Sequence, residues 1–327
     1  MRFLVILLLA FCFGMPAHAQ TEDLLQNDNL TLILSPEYPR PESTLTITPR
    51  SYLVDLATAH VSVYINDELV AENTGEVPVT VQTGAPGSQL SIRVVAIADG
   101  TSYETSMIVY PQGTALIVEP QVTMPPLYRG AGKLPATAIT RIVAVPDFRS
   151  PTGTLINPST LSYSWYAEDT LLKEQSGLGR SVLLIEGPQR YRPTEVSVIV
   201  TSREQPYVTS ALVTLDPIDP FVRVYPSDPL TGPWFSRSVP ETYTMKKEEE
   251  TFVAAPYFFT AQPQLSWRVG GTEQGTLDTL TVRTGGTGEG TATLSLRAVG
   301  KDVFSLATFT SEVSFGKRQV TQPLFGI

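Results

Sequence analysis

Three segments set 102 residues apart share one pattern. VSVYINDELV from Val61, YSWYAEDTLL from Tyr163 and LSWRVGG from Leu265 align so that Val63, Trp165 and Trp267 occupy one position. A second matching strand follows each anchor: Leu90-Ser-Ile-Arg, Val196-Ser-Val-Ile and Leu294-Ser-Leu-Arg, lying 27, 31 and 27 residues beyond it. Self-similarity at a fixed period means one folding unit used repeatedly, and a period near the ordinary size of a small domain makes each unit self-contained.

The residues between the anchors give the unit its form. Short runs alternate polar and apolar, as in Leu45-Thr-Ile-Thr48, Val61-Ser-Val-Tyr-Ile65 and Leu90-Ser-Ile-Arg-Val94, and Gly, Pro, Asn or Asp bound them. Alternation with a period of two signals half-buried strands. No long stretch has helical periodicity, so the chain reads as all-β. Before each anchor a strand ends in proline, at Pro49, Pro146 and Pro256. Each unit opens on a proline-rich strand: ILSPEYPRP from Ile33, IVEPQVTMPP from Ile117 and RVYPSDPLTGP from Arg223. Proline cannot donate to a β-ladder, which places these opening strands at sheet edges. The expected division is 20–28 as an N-terminal segment, sandwich domains over 29–111, 112–217 and 218–316, and a tail over 317–327. The domains join at Tyr110-Pro111-Gln112 and Asp216-Pro217-Ile218. Val63, Trp165 and Trp267 are expected in the cores, on the third strand of each unit.

A unit of about a hundred residues with roughly seven short strands and a core aromatic on the third is the pattern of an immunoglobulin-like sandwich. The Ser-Trp-Tyr around Trp165, the Ser-Trp-Arg around Trp267 and the strands Val196-Ser-Val and Leu294-Ser-Leu resemble the tandem immunoglobulin-like and PKD-like modules of bacterial surface proteins. That resemblance covers nearly all of the chain after residue 19, and it implies three tandem β-sandwiches used as spacers, stalks or adhesion surfaces. Val63 stands where the other two units have tryptophan, and no unit has paired cysteines.

The first residues, MRFLVILLLAFCFGMPAHAQ, have the basic start, apolar run and Ala17-His18-Ala19 site of a secretory signal peptide, so cleavage is expected after Ala19. The run is shorter than the roughly 20 apolar residues a membrane-spanning helix needs. The single cysteine, Cys12, lies inside it, so the processed chain has neither a disulfide nor a thiolate. An exported chain without disulfides suits a bacterial cell surface, a periplasm or secretion. The formal net charge is −9, from 23 Lys plus Arg against 32 Asp plus Glu, and loss of Arg2 makes the chain more acidic. This disfavours nucleic acid, whose binding needs clustered cations. No second stretch is long and apolar enough to cross a membrane.

Little in the sequence reads as chemistry. His60 is the one histidine after residue 19, and it falls just before a strand, in a loop. One histidine without cysteine cannot supply the usual zinc ligands. TGGTGEGT, from Thr284, has no lysine after it and leads into a strand, so it is a turn needing positive φ rather than a phosphate loop. The carboxylates that would serve calcium are Asp216, Asp219 and Asp228 around the second linker, with Asn66, Asp67 and Glu68 on a loop of the first unit. No EF-hand pattern accompanies them, and Asp216-Pro-Ile-Asp219-Pro reads more simply as a stiff linker. Lys246-Lys-Glu-Glu-Glu250 reads as a solvated strand edge or loop.

Trp234, Phe235, Tyr257 and Phe258 form an aromatic group in the third unit, available either to stack on a glycan or to close the end of the sandwich. The expectation is therefore a non-enzymatic exported protein without cofactor, serving adhesion or envelope assembly with a protein or glycan partner. The alternative is a carbohydrate-binding protein using those aromatics.

Overall fold

The computed structural model describes residues 30–126, 128–285, 288–302 and 305–316. The expected signal peptide over 1–19, the 20–28 segment and the 317–327 tail lie outside the described residues. These form two compact units. One holds 30–39, 43–83 and 89–109, and the other holds 40–42, 84–88 and 110–316.

The first unit contains seven strands: β1 (Thr31–Ser35), β2 (Thr44–Arg50), β3 (His60–Ile65), β4 (Glu68–Thr74), β5 (Val79–Gln82), β6 (Leu90–Ala98) and β7 (Thr101–Val109). They make two sheets, ordered β1-β2-β5 and β4-β3-β6-β7. Alternation along each strand sends Leu45 and Ile47 of one sheet against Val61, Val63, Ile92 and Val94 of the other, and these fill one core. Their polar neighbours face outward.

The second unit contains two further sheet pairs. In the first of them, β8 (Gly113–Pro120), β9 (Ile139–Asp147), β10 (Leu161–Ala167), β11 (Thr170–Leu171), β12 (Gly177–Leu178), β13 (Val182–Glu186), β14 (Thr194–Ser202) and β15 (Val208–Leu215) form sheets β13-β9-β8 and β11-β10-β14-β15, with β12 also on β10. The next comprises β16 (Phe221–Asp228), β17 (Gly232–Pro233), β18 (Thr242–Thr244), β19 (Glu249–Tyr257), β20 (Gln264–Val269), β21 (Thr272–Gly275), β22 (Thr279–Arg283), β23 (Gly290–Val299) and β24 (Leu306–Phe315). Its sheets run β17-β16-β19-β22 and β18-β24-β23-β20-β21. Each pair encloses its own apolar core. All three sheet pairs share one connectivity, an antiparallel sandwich of the immunoglobulin and fibronectin type III kind. Pair three adds β18, which runs parallel to the last strand.

The repeat is visible in atomic detail. Val63, Trp165 and Trp267 lie on β3, β10 and β20 and are 1%, 0% and 0% exposed. They sit opposite Val94, Val198 and Leu296. Relative to the sequence alignment, the register in the first pair is two residues further along β6, a shift that keeps the same face inward. A buried indole needs a partner for its N–H. Trp165 Nε1 donates to the Arg180 carbonyl at 2.8 Å and Trp267 Nε1 to the Leu277 carbonyl at 2.9 Å. Each tryptophan thus ties its own strand to the segment that crosses to the opposite sheet.

The two-residue turns after the anchors also recur at 102 residues. Asn66-Asp67, Glu168-Asp169 and Gly270-Gly271 all have positive φ at both positions, the backbone of a tight hairpin whose twist matches its strands. The left-handed region disfavours a residue such as Glu168. It is held there because its side chain accepts from the Glu195 N–H at 2.9 Å, as Asn66 Oδ1 accepts from the Ser91 N–H. Asn66 and Asp67 are therefore hairpin residues and Glu68 begins β4, so the first unit's calcium candidates serve a turn and a strand.

Two local expectations need correction. His60 is the first residue of β3, not a loop residue, and its Nε2 lies 2.8 Å from Glu72 Oε1 on the neighbouring β4. Among the described glycines of 284–291, none has positive φ. At Gly290 the reason for glycine is space: a Cβ there would meet the Phe315 ring at 2.6 Å. The proline-rich β1 and β8 are edge strands as expected, while β16 is flanked by the two-residue β17.

Candidate functional site

Within the second unit, the aromatics of the third sheet pair collect around a short stretch of the connection between β8 and β9. The cause is local. β19 carries Tyr257 as its last residue, and Phe258 follows with a φ of 61°. Phe259 then returns to the core of the third pair while Tyr257 and Phe258 join a separate cluster with Tyr225 and Ala255, against which Val122, Ile218, Phe221 and Phe235 pack. A bulky residue in the left-handed region costs on the order of 1–3 kcal/mol and persists only where its surroundings hold it. Here they do: the Phe258 N–H donates to the Thr123 carbonyl and the Thr123 N–H to the Phe259 carbonyl, both at 2.8 Å.

The rings interlock at favourable geometries. Phe221 stacks on Tyr257 with centroids 4.7 Å apart and planes 13° apart, and Tyr128 meets Tyr257 and Phe258 edge-on at 5.6 and 5.7 Å. Such pairs add about 0.5–1.5 kcal/mol beyond their area. The Tyr225 and Tyr257 hydroxyls are 2.9 Å apart and buried. Burial, and then the hydrogen bond to Tyr225, raise the pKa of Tyr257 well above the ordinary phenol value. Two further ties flank the cluster. The Ile218 N–H donates to the Leu134 carbonyl at 2.8 Å, and Arg190 grips Asp219 through both carboxylate oxygens, Nε at 2.7 Å.

Of the four aromatics singled out as ligand-binding candidates, Phe235, Tyr257 and Phe258 belong to this junction. Phe235 packs edge-on against Tyr225 at 5.2 Å. Trp234 sits beside them, 51% exposed, its indole N–H directed at Thr231 Oγ1. Asp216, Asp219 and Asp228 are not brought together. Asp219 belongs to Arg190, and Asp228 lies at the far end of β16, where the extended strand puts it roughly 30 Å of chain away at about 3.3 Å per residue. There it accepts from the Leu230 and Thr231 N–H groups and from Lys247 Nζ, and those bonds lower its pKa, the Leu230 bond most. Among the described residues, no group of three His, Cys, Asp or Glu side chains is placed to hold a metal ion. In the charged run, Glu250 accepts from the Lys247 N–H at 3.1 Å and from the Tyr243 hydroxyl at 2.7 Å.

No family model matches the chain, and no curated protein does either. Solved structures that match are tandem immunoglobulin-like or fibronectin type III arrays. The three N-terminal domains of the bacteriophage RB49 highly immunogenic outer capsid protein share 13% identity over 89% of this chain and 99% of that one, with a TM-score of 0.26. The central fibronectin-III array of RIM-binding protein shares 11% over 88% and 96%, with a TM-score of 0.30. Immunoglobulin domains 1–5 of Sidekick-1 share 10% over 86% and 56%, also at 0.30. Sheet connectivity, not these matches, carries the fold assignment. Trp234, Phe235, Tyr257 and Phe258 stand out in the sequence, whereas their partners Tyr128, Thr123 and Phe221 do not, because the Pro-rich stretch from Ile117 signals only an edge strand.

Proposed function

We propose that the chain is an exported, non-enzymatic structural protein of three immunoglobulin-like modules over 29–111, 112–217 and 218–316, serving adhesion or envelope assembly in a bacterium. The observation that supports this most is the junction. Aromatic side chains that could have formed an open platform are spent instead on joining modules two and three, with backbone bonds, a buried hydroxyl pair and a strained Phe258. A protein that contacts a distant partner benefits from such a joint, because it fixes spacing and direction. Fusing the full chain to a C-terminal tag in a bacterial host and fractionating the cells tests the reading. The expected product starts at Gln20 and appears outside the cytoplasm; an uncleaved cytoplasmic product contradicts it.

The alternative, glycan binding by third-module aromatics, rests on Trp234, the one of the four that stays half exposed. A glycan array read with the wild type and Trp234→Ala separates the two: signal lost in the variant favours the alternative.

A further inference from the structure

The outer face of the sheet β13-β9-β8 breaks an alternation that its two counterparts keep. An antiparallel sheet with one side in water sends apolar residues in and polar ones out. On the corresponding sheet of the first pair, β2 turns Thr44, Thr46, Thr48 and Arg50 outward, and among the outward residues of its neighbours β1 and β5 only Ile33 is apolar. On β19 and β22 of the third, Glu249, Thr251, Thr279, Thr281 and Arg283 face outward with Val253, while Ala255 and Tyr257 enter the aromatic junction. In the second pair the register builds a mostly aliphatic face instead. Val145 lies beside Ala115, then Val182, Val143 and Ile117 form a row, then Leu184, Arg141 and Glu119, and Glu186 with Ile139 ends it. Ile117, Ile139, Val145, Val182 and Leu184 are 38–50% exposed. Most of them are β-branched and stiff, so fixing them in a contact costs little entropy.

Arg141 sits inside this face with half of its charge chemistry unused. Its Nε and Nη2 both donate to Glu119 Oε2, at 2.7 and 2.6 Å. Arg141 Nη1 and Glu119 Oε1 have no partner among the described residues, and both side chains are about half exposed. The other charges lie at the ends of the face. Glu186 stands at one, and Asp147, paired with Arg149 at 2.9 Å, at the other.

We infer that this face pairs with the same face of a second copy of the chain. A two-fold axis along the strands, between β8 and β9, sets Arg141 over Glu119 of the second copy, and Val143 and Val145 over Ile117 and Ala115, each contact made twice. The open Nη1 of each arginine then faces the open Oε1 of the opposite glutamate, and the aliphatic rows pack at the roughly 10 Å spacing of stacked sheets. A face with one cation and one anion at its centre complements itself. A membrane surface calls for an excess of cations, and here Glu119, Glu186 and Asp147 outnumber Arg141 and Arg149. A glycan calls for rings or many polar groups, and these rows are aliphatic. Three strands by four rows span roughly 10 by 20 Å, less than the about 800 Å² per partner of a standard interface. The pairing is therefore weak and acts between copies already held close together. It rests on the face itself and not on the proposed export or adhesion.

Sedimentation equilibrium of the full chain, from about 1 µM to 1 mM to suit a small interface, tests the pairing. Wild type should pass from monomer to dimer within that range. Arg141→Glu and Glu119→Arg should each self-associate at least about tenfold more weakly, because like charges then meet across the axis. An equimolar mixture of these two variants should recover the wild-type dimer to within about threefold, since each supplies the charge the other lacks. Ile117→Glu should weaken the dimer at least about tenfold, and Ile33→Glu, on the counterpart sheet of the first pair, should stay within about twofold of wild type. All these side chains are exposed, so circular dichroism should match wild type throughout. A chain that stays monomeric at every concentration overturns the proposal, as does a dimer that the face variants leave intact or a mixture that fails to recover it. Flotation of a monomeric wild type with phosphatidylcholine vesicles would also overturn it, transferring the face to lipid.

Discussion

The core positions Val63 and Trp267 do one job by different means. Trp267 fills its core, and its indole holds the Leu277 carbonyl, so one side chain sets both packing and the path of the connection to the other sheet. Val63 fills the corresponding space in the first sheet pair without a polar handle, and there the neighbouring β4 is seven residues long and pairs with β3 along its length. Beside Trp165 the equivalent β11 has two residues, and the Trp165 N–H is satisfied instead by the Ser176 hydroxyl at 2.9 Å. Where the backbone ladder is short, side chains complete the strand's hydrogen bonds; where it is long, an aliphatic anchor suffices.

That contrast can be broken most directly by truncation. Trp165→Ala or Trp267→Ala should destabilise its own core by about 3–5 kcal/mol, the usual range for emptying a large buried site. Val63→Ala should cost roughly 2 kcal/mol, about 0.8 for each buried methylene-sized group plus a small cavity. Denaturant titration followed by circular dichroism reports all three cores, whereas tryptophan fluorescence would miss the first, because the three tryptophans lie at 165, 234 and 267. Equal losses at 63 and 267 would contradict the contrast. A milder change isolates the polar handle. Trp267→Phe keeps most of the ring but strands the Leu277 carbonyl, and about 1–3 kcal/mol should be lost.

Smaller effects sharpen the comparison between core and junction. Tyr257→Phe leaves the Tyr225 hydroxyl without its buried partner, an expected loss of about 1–2 kcal/mol. The phenols of Tyr243 and Tyr257 also predict an alkaline limit. Burial raises both pKa values above the unfolded value near 10. Because the folded state holds these protons more tightly, their contribution is complete below that pH and falls as pH rises toward the folded values. Stability measured from pH 9 upward should decline, and the decline should shrink in Tyr257→Phe. The smallest effect is at Asp228, whose pKa is lowered by the Leu230 N–H and Lys247. Its contribution is present above the ordinary carboxylate range and fades as pH falls through that range, so Asp228→Asn should slightly flatten the acid limb of the stability curve.

The parts legible in the sequence are those that repeat. The 102-residue period placed Val63, Trp165 and Trp267 on equivalent strands, because strand alternation fixes which face each residue takes. It also carries the hairpin turns, in Gly270-Gly271 and Asn66-Asp67, although in the sequence Asn66 and Asp67 read as calcium candidates on a loop. The junction was not legible for a physical reason. Its partners, Thr123 and Tyr128 on one side and Phe221, Tyr257 and Phe258 on the other, are 93 to 135 residues apart and occur in one copy only. No period announces a contact made once.

The central claim is that the aromatic junction makes sheet pairs two and three one rigid body. Cys12 is the one cysteine in the sequence, so with Cys12→Ser spin labels can be placed at Leu212→Cys on β15 and Leu306→Cys on β24, both exposed strand positions. Their distance distribution, measured by pulsed electron spin resonance, should be a single narrow peak that broadens when Tyr257 and Phe258 are both changed to alanine. A broad distribution in the unaltered protein, or a narrow one that survives the double substitution, would contradict the account.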